Sequence, residues 1–288
     1  MLYAELFGIV FYALAAGLLF SGLLFRIRRF DRSALLALAT GFILQTAALV
    51  WRAVQATGEG NLPLAGPSNA FALLAWALVV LALLVKLWLH LEAIAAFLLP
   101  VAIFCSAVSL FLPEKAVHAT NAARGFLFPF HVAVLFVGMG SFCVAFLASL
   151  IYLIEKRELK AKKLGRIVAM LPPLESLDRL AVRSLVAGVF FLTLGIGTGI
   201  YLAHFVWAED WVRDPKVLFS LVTWGWYLLL LAVRFSAGWK GGRFFALISI
   251  GFAFLVVTFL GVTFFFPTPP TQVLSGSHFF RGGGGSWT

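Results

Sequence analysis

The sequence predicts an all-α polytopic integral membrane protein with about eight transmembrane helices and both termini on the outer (periplasmic) side. Of its 288 residues, 62% are hydrophobic and 12% charged, against roughly 45–50% and 25% in an average soluble chain. A soluble exterior cannot be assembled from so few polar side chains. Leu, Ala, Phe and Val also arrive in blocks of about twenty, the length that crosses a hydrocarbon core roughly 30 Å thick. Finally, most of the 22 Lys and Arg residues stand between those blocks.

The blocks and their breakers give spans near 3–25, 33–55, 69–89, 91–112, 129–154, 184–204, 216–235 and 244–266. The first two are separated by Arg26, Arg28, Arg29 and Arg32. Ser68 is a good N-cap for the third, and Pro113 stands where the fourth should stop. Asp214 is an N-cap for the seventh, followed by Pro215, whose missing N–H does no harm at a first helical position. Pro267 ends the eighth. Counted over alternate loops, sixteen basic residues fall on one side and six on the other. Because Lys and Arg accumulate in cytoplasmic loops, the richer side is cytoplasmic. The net charge of +10 therefore orients the chain and does not imply a nucleic-acid partner.

The longest cytoplasmic segment, 155–183, divides in two. Glu155 to Arg166 is a solvated basic run that can also meet anionic headgroups. Beyond Pro172-Pro173, Leu174, Leu177, Leu180 and Ala181 share one helical face opposite Glu175, Asp178 and Arg179. That pattern predicts a short interfacial helix leading into span six. Residues 281–288, with four glycines, read as a flexible tail, so 1–280 forms a single transmembrane domain. The opening Met-Leu-Tyr-Ala-Glu has no basic region of a cleavable signal. Cys105 and Cys143 each lie inside an apolar run, which excludes a disulfide framework or a Cys-x-x-Cys site. They read as small apolar packing residues.

Polar groups are scarce, so their placement is informative. His118, His131, His204 and His278 fall on or near the outer face, and only His90 maps inside. Trp207, Trp211, Arg213, Asp214 and Lys216 share the outer side. Indoles there can be ordinary interfacial belt residues, and a single interfacial histidine can serve an incidental hydrogen bond. Four histidines beside a Trp-containing loop suggest more. Neutral imidazole ligates haem iron, aromatic faces suit a planar macrocycle, and propionates call for Arg or Lys, here Arg124, Arg213 or Lys216. Zinc is chemically possible, but no close His/Cys/carboxylate cluster occurs in sequence.

The stretch Trp207-Ala-Glu-Asp-Trp211-Val-Arg213-Asp214-Pro215-Lys216 resembles a degenerate form of the tryptophan-rich external loop of the cytochrome c assembly (CcsA/CcmC/HemX-like) family, which typically reads WGxYWxWDPKE. The likeness continues through Thr223-Trp224, Tyr227, Arg234, Gly238-Trp239-Lys240-Gly241, Gly251-Phe252 and Thr258-Phe259-Leu260-Gly261-Val262. Upstream it includes 171–180 and Thr193-Leu194-Gly195-Ile196-Gly197-Thr198-Gly199, with weaker similarity at Asn61-Leu62-Pro63-Leu64 and Trp76. It covers most of the chain and is strong from about 125 to 266.

The resemblance implies a bacterial cytoplasmic-membrane protein that transports or presents non-covalent haem b on the outer face during cytochrome c maturation. By it, the loop 205–216 receives haem, and two external histidines supply axial ligands. His131 matches the first and His278 the second, with the Pro-rich connection 267–270 changing the spacing. Trp207 and Trp211 would form the platform, Arg213 and Lys216 would engage propionates, and Asp214 would belong to the loop while capping span seven. Apocytochrome c and a second membrane assembly subunit are the implied partners.

Three departures mark this chain. Arg213 replaces the second Trp of the loop's core, and Val217 replaces the usual acidic residue after Lys216. Gln45 and Ala232 stand where some members carry two transmembrane histidines, so at most one, external, haem site is expected. A HemX-like influence on haem biosynthesis without ligation to cytochromes is the alternative, and a small-molecule permease the third. The Gly195–Gly199 run reads most simply as a close helix-packing surface.

Overall fold

The structure, a computed structural model, describes residues 2–25, 27, 29–61, 63–112, 126–162, 171–206 and 215–265. These form eight helices: α1 (Leu2–Phe25), α2 (Arg29–Gly58), α3 (Pro67–Trp88), α4 (Glu92–Phe111), α5 (Leu127–Lys160), α6 (Leu174–Val206), α7 (Pro215–Ser236) and α8 (Gly242–Phe265). Every one contains a segment long and apolar enough to cross a membrane. The chain is an all-helical, multi-pass membrane protein.

Two local expectations are corrected. The segment after Pro173 is not a separate interfacial helix. It is the first part of α6, which runs unbroken for 33 residues. Its charges need no break, because Glu175 pairs with Arg179 one turn along at 3.2 Å, and Asp178 pairs with Arg234 of α7 at 2.6 Å. Ser68 does not cap α3 either. Gly66, at φ 93°, holds the cap position, and Pro67 opens the helix. The Ser68 hydroxyl instead donates to the Ser109 carbonyl at 2.8 Å, joining α3 to α4.

Side-chain contacts fix an antiparallel path. Arg52 meets Asn69 and Thr46 meets Trp76 across α2 and α3. Tyr152 packs on Phe245 and Phe146 on Phe252 across α5 and α8. Phe71 and Phe136 both pack on Phe259, bringing α3, α5 and α8 to one level. The start of α1 and the end of α8 consequently lie at one end of the bundle, here the terminal end. At the opposite end, His90 makes the tight α3–α4 turn with φ 53° and is exposed. Lys86, almost fully buried there, has Asp31 and Glu92 each 3.8 Å away.

Helices α1–α4 form one group and α5–α8 another, joined chiefly where α3 meets α5. A continuous apolar core runs through both, including Tyr12, Leu38, Phe71, Leu98, Phe142, Leu185, Tyr227 and Ile248. In a bilayer, apolar burial gives little drive for helix association, so small-residue packing and interhelical hydrogen bonds must supply it. The first group uses the second device. Tyr12 Oη donates to Gln45 Oε1 at 2.6 Å, while Gln45 Nε2 donates to the Ala72 carbonyl at 3.1 Å and to Ser106 Oγ at 3.4 Å. Nearer the terminal end, Arg52 binds Glu5 at 2.6 Å and also donates to Ser68 and Asn69.

Candidate functional site

His131 stands one turn inside α5, and its direction is set by packing against α6. Four residues on α5, His131, Leu135, Gly138 and Phe142, recur at spacings of four, three and four, which places them on one helical face. Opposite them on α6 stand Gly199, Gly195, Phe191 and Gly188. A Cβ on Gly188 would lie 2.5 Å from the Phe142 ring, and one on Gly138 would lie 3.3 Å from Phe191 Cβ. A Cβ on Gly195 would overlap Leu135, and one on Gly199 would lie 2.9 Å from His131 Cε1. Each glycine removes the one atom that would keep these helices apart. The imidazole is the last member of this ladder, nearest the terminal end.

The slot is polar on one side. His131 Nδ1 lies 3.0 Å from Thr198 Oγ1. Thr198 Oγ1 is itself 2.8 Å from the Leu194 carbonyl and 3.1 Å from that of Gly195. His131 is half-buried. Its Nε2 has no hydrogen bond among the described residues, and it is not one of the buried atoms left without a partner. The opposite flank of α6 is tied to α7, where Trp224 Nε1 donates to Thr193 Oγ1 at 2.8 Å. The helix carrying Thr198 is thus held from both sides.

The remaining expected site residues are placed less fully. Lys216 is the second residue of α7, and its side chain lies outside the described residues, as do Trp207, Trp211, Arg213, Asp214 and His278. Val206 and Pro215, which flank the tryptophan-containing segment in sequence, both lie at the same end of the bundle as His131. His204 lies in the last turn of α6, and His118 lies outside the described residues. Among the described residues, no three His, Cys, Asp or Glu side chains gather to hold a metal ion.

The two positions read against transmembrane histidines do not share a pocket. Gln45 is buried and engaged by Tyr12, Ala72 and Ser106. The crevice beside it, lined also by Glu5, Ser106 and Ser109, has about 10 Å³ of free space, close to what one water molecule needs. Ala232 lies on an exposed face of α7. Cys105 and Cys143 are buried and free, as expected from their apolar runs.

The residue that sequence reasoning missed is Thr198. It lies inside the Gly195–Gly199 run, which in sequence reads as a packing surface. Gly195 and Gly199 do face α5, whereas Gly197 looks into open space. What assigns Thr198 to His131 is the antiparallel register of α5 and α6, which local sequence does not carry.

Residues 65–268 match the family described as cytochrome C assembly protein. The chain is 30% identical over 257 residues to the cytochrome c biogenesis protein CcsA of Synechococcus sp. (strain CC9311), covering 79% of this chain and 83% of that protein. It is 30% identical over 256 residues to the CcsA of Prochlorococcus marinus (strain MIT 9303), covering 79% and 80%. With the CcsA of Guillardia theta it shares 28% over 225 residues, covering 72% and 75%.

Proposed function

Since this chain belongs to the cytochrome c assembly protein family, we propose that it acts in cytochrome c maturation by receiving haem at the outer membrane face and presenting it there. The observation that carries the reading is the state of His131. Its imidazole is seated in a slot between two helices, bonded through Nδ1 and, among the described residues, without a hydrogen bond on Nε2. A histidine built for metal ligation has that division of labour, with one nitrogen oriented by a second group and the other left to the metal. The donor chemistry therefore fits haem iron.

In this reading His131 and His278 would hold the iron of a non-covalent haem b through their imidazoles. Trp207 and Trp211 supply the aromatic platform, and Arg213 and Lys216 bind propionates. Asp214 sets the entry into α7. When bound, the haem would supply an iron that accepts imidazole nitrogen and a macrocycle destined for an apocytochrome. This chain's contribution is to hold, orient and expose. Thioether formation would draw on the apocytochrome's own cysteines, because Cys105 and Cys143 are buried in the bundle. A second membrane subunit and apocytochrome c are the partners this division requires, and the bacterial cytoplasmic membrane is the setting.

The test is an absorption spectrum of the detergent-purified protein, oxidised and dithionite-reduced, with pyridine haemochrome quantification. We expect b-type haem near one equivalent, falling by at least tenfold in the His131→Ala, His278→Ala double variant. Unchanged haem in that variant overturns the assignment.

The engaged Gln45 and the outward-facing Ala232 favour a second reading, a HemX-like influence on haem biosynthesis. It predicts a tetrapyrrole-pathway defect on deletion with normal c-type cytochromes. The reverse phenotype rejects it.

A further inference from the structure

A histidine offers a metal whichever nitrogen is not carrying the proton, so the group on the far side of the ring decides whether it can ligate at all. We propose that Thr198 is a positioning residue that fixes His131 as its Nδ1–H tautomer and leaves the Nε2 lone pair as the donor. The use of that lone pair for haem rests on the function proposed above, whereas the tautomer is a property of this chain alone.

A count of protons at Thr198 Oγ1 fixes the tautomer. Thr198 has one hydroxyl hydrogen, and two carbonyls of its own helix, those of Leu194 and Gly195, stand 2.8 and 3.1 Å from Oγ1. With that hydrogen directed along the helix, as threonine hydroxyls commonly are, the oxygen can only accept from the ring nitrogen 3.0 Å away, which is Nδ1. The oxygen facing Nδ1 is then an acceptor, and the ring meets it with N–H. Nε2 has no such partner among the described residues.

Gly199 completes the device. With no Cβ, it allows the Cε1 edge of the ring to approach α6 within reach of Thr198, where any larger residue would meet Cε1 at 2.9 Å. The threonine, the glycine and the histidine therefore form one unit: the glycine admits the ring, the threonine selects its tautomer, and the helix ladder sets its height.

Nitrogen-15 NMR of the full-length chain in lipid bilayers, without haem and with labelled histidine, tests this directly. His131→Ala identifies the His131 signals among those of the five histidines. The expected result is a protonated-type Nδ1 and an unprotonated-type Nε2. Thr198→Val, which keeps the shape and removes the hydroxyl, should give a mixture of tautomers, and Thr198→Ser should restore the single one. Titration of the purified protein with haemin should show Thr198→Val weakened about 10- to 100-fold, the usual effect of losing a group that orients a metal ligand, and Thr198→Ser close to wild type. An Nε2–H tautomer in the wild type overturns the proposal, as does a Thr198→Val protein matching wild type in both measurements. Haemin bound equally well by His131→Ala would instead defeat the haem reading, while the NMR result still decides the role of Thr198.

Discussion

Gly199 shows how much can rest on one missing methyl. Its substitution by alanine would press a carbon to 2.9 Å from the His131 ring, and the ring, being at the helix end, is freer to move than the backbone. We expect Gly199→Ala to cost little stability but to lower haem content at least severalfold, measured as haemochrome per protein beside a thermal unfolding curve. Equal haem with a wild-type unfolding curve would show that the slot does not orient the ring. The Arg52–Glu5 pair behaves differently, because both side chains are nearly buried, at 12% and 10% exposure. Removing one partner takes from a nearly buried charge the counter-charge 2.6 Å away. Arg52→Met alone should therefore destabilise by roughly 3–5 kcal/mol, whereas Arg52→Met with Glu5→Leu should recover most of the loss. Denaturant titration of the two variants in detergent decides it, and equal losses would refute the account.

Helix α6 joins the two halves of the argument at the scale of an element. Its glycines close on α5, and Thr193 takes a hydrogen bond from Trp224 of α7. Trp224→Phe should cost about 0.6 kcal/mol and at most about 1.7 kcal/mol, the range measured for hydrogen bonds between helices in membranes. A much larger loss would mean that the indole does more than tie two helices together. This helix also shows what was legible. Its membrane portion was readable from composition, as were all eight spans, because twenty apolar residues admit few other fates. Its first two turns were misread because Glu175, Asp178 and Arg179 interrupt the apolar pattern. The ion pair from Asp178 to Arg234 that accommodates one of those charges spans 56 residues, beyond the reach of any local rule. Ser68 failed for a related reason: a capping residue is recognised by type, but its hydroxyl found a better acceptor across the bundle in Ser109. His131 could be singled out from its residue type and position. Thr198 could not, because nothing within either helix states which turn of α6 faces which turn of α5.

For the whole molecule, the division into two helix groups meets the family match informatively. The match begins at residue 65, so α1 and α2 lie before it, and the network of Glu5, Tyr12, Gln45 and Arg52 helps fasten them to α3 and α4. Sidedness can be read at this scale too. Cys105 and Cys143 are buried, so the folded chain offers no native thiol to a polar maleimide. A cysteine placed at exposed Lys240 should be labelled only from the cytoplasmic side, and one at exposed Glu59 only from the outside. The opposite pattern would invert the topology drawn from the basic loops. The glycine ladder between α5 and α6 has one more implication. It works as a ruler: the paired positions 131 with 199, 135 with 195 and 142 with 188 share a constant sum, so every rung fixes the next. From Phe142 to His131 it measures off about 16 Å at 1.5 Å per residue. A single residue inserted between them would turn the imidazole by about 100° and aim it away from α6, while four inserted residues would restore its bearing but lift it by about 6 Å. The height and heading of that ring are therefore gauged from the middle of the bilayer, and the loops outside are free to diverge around a fixed mark.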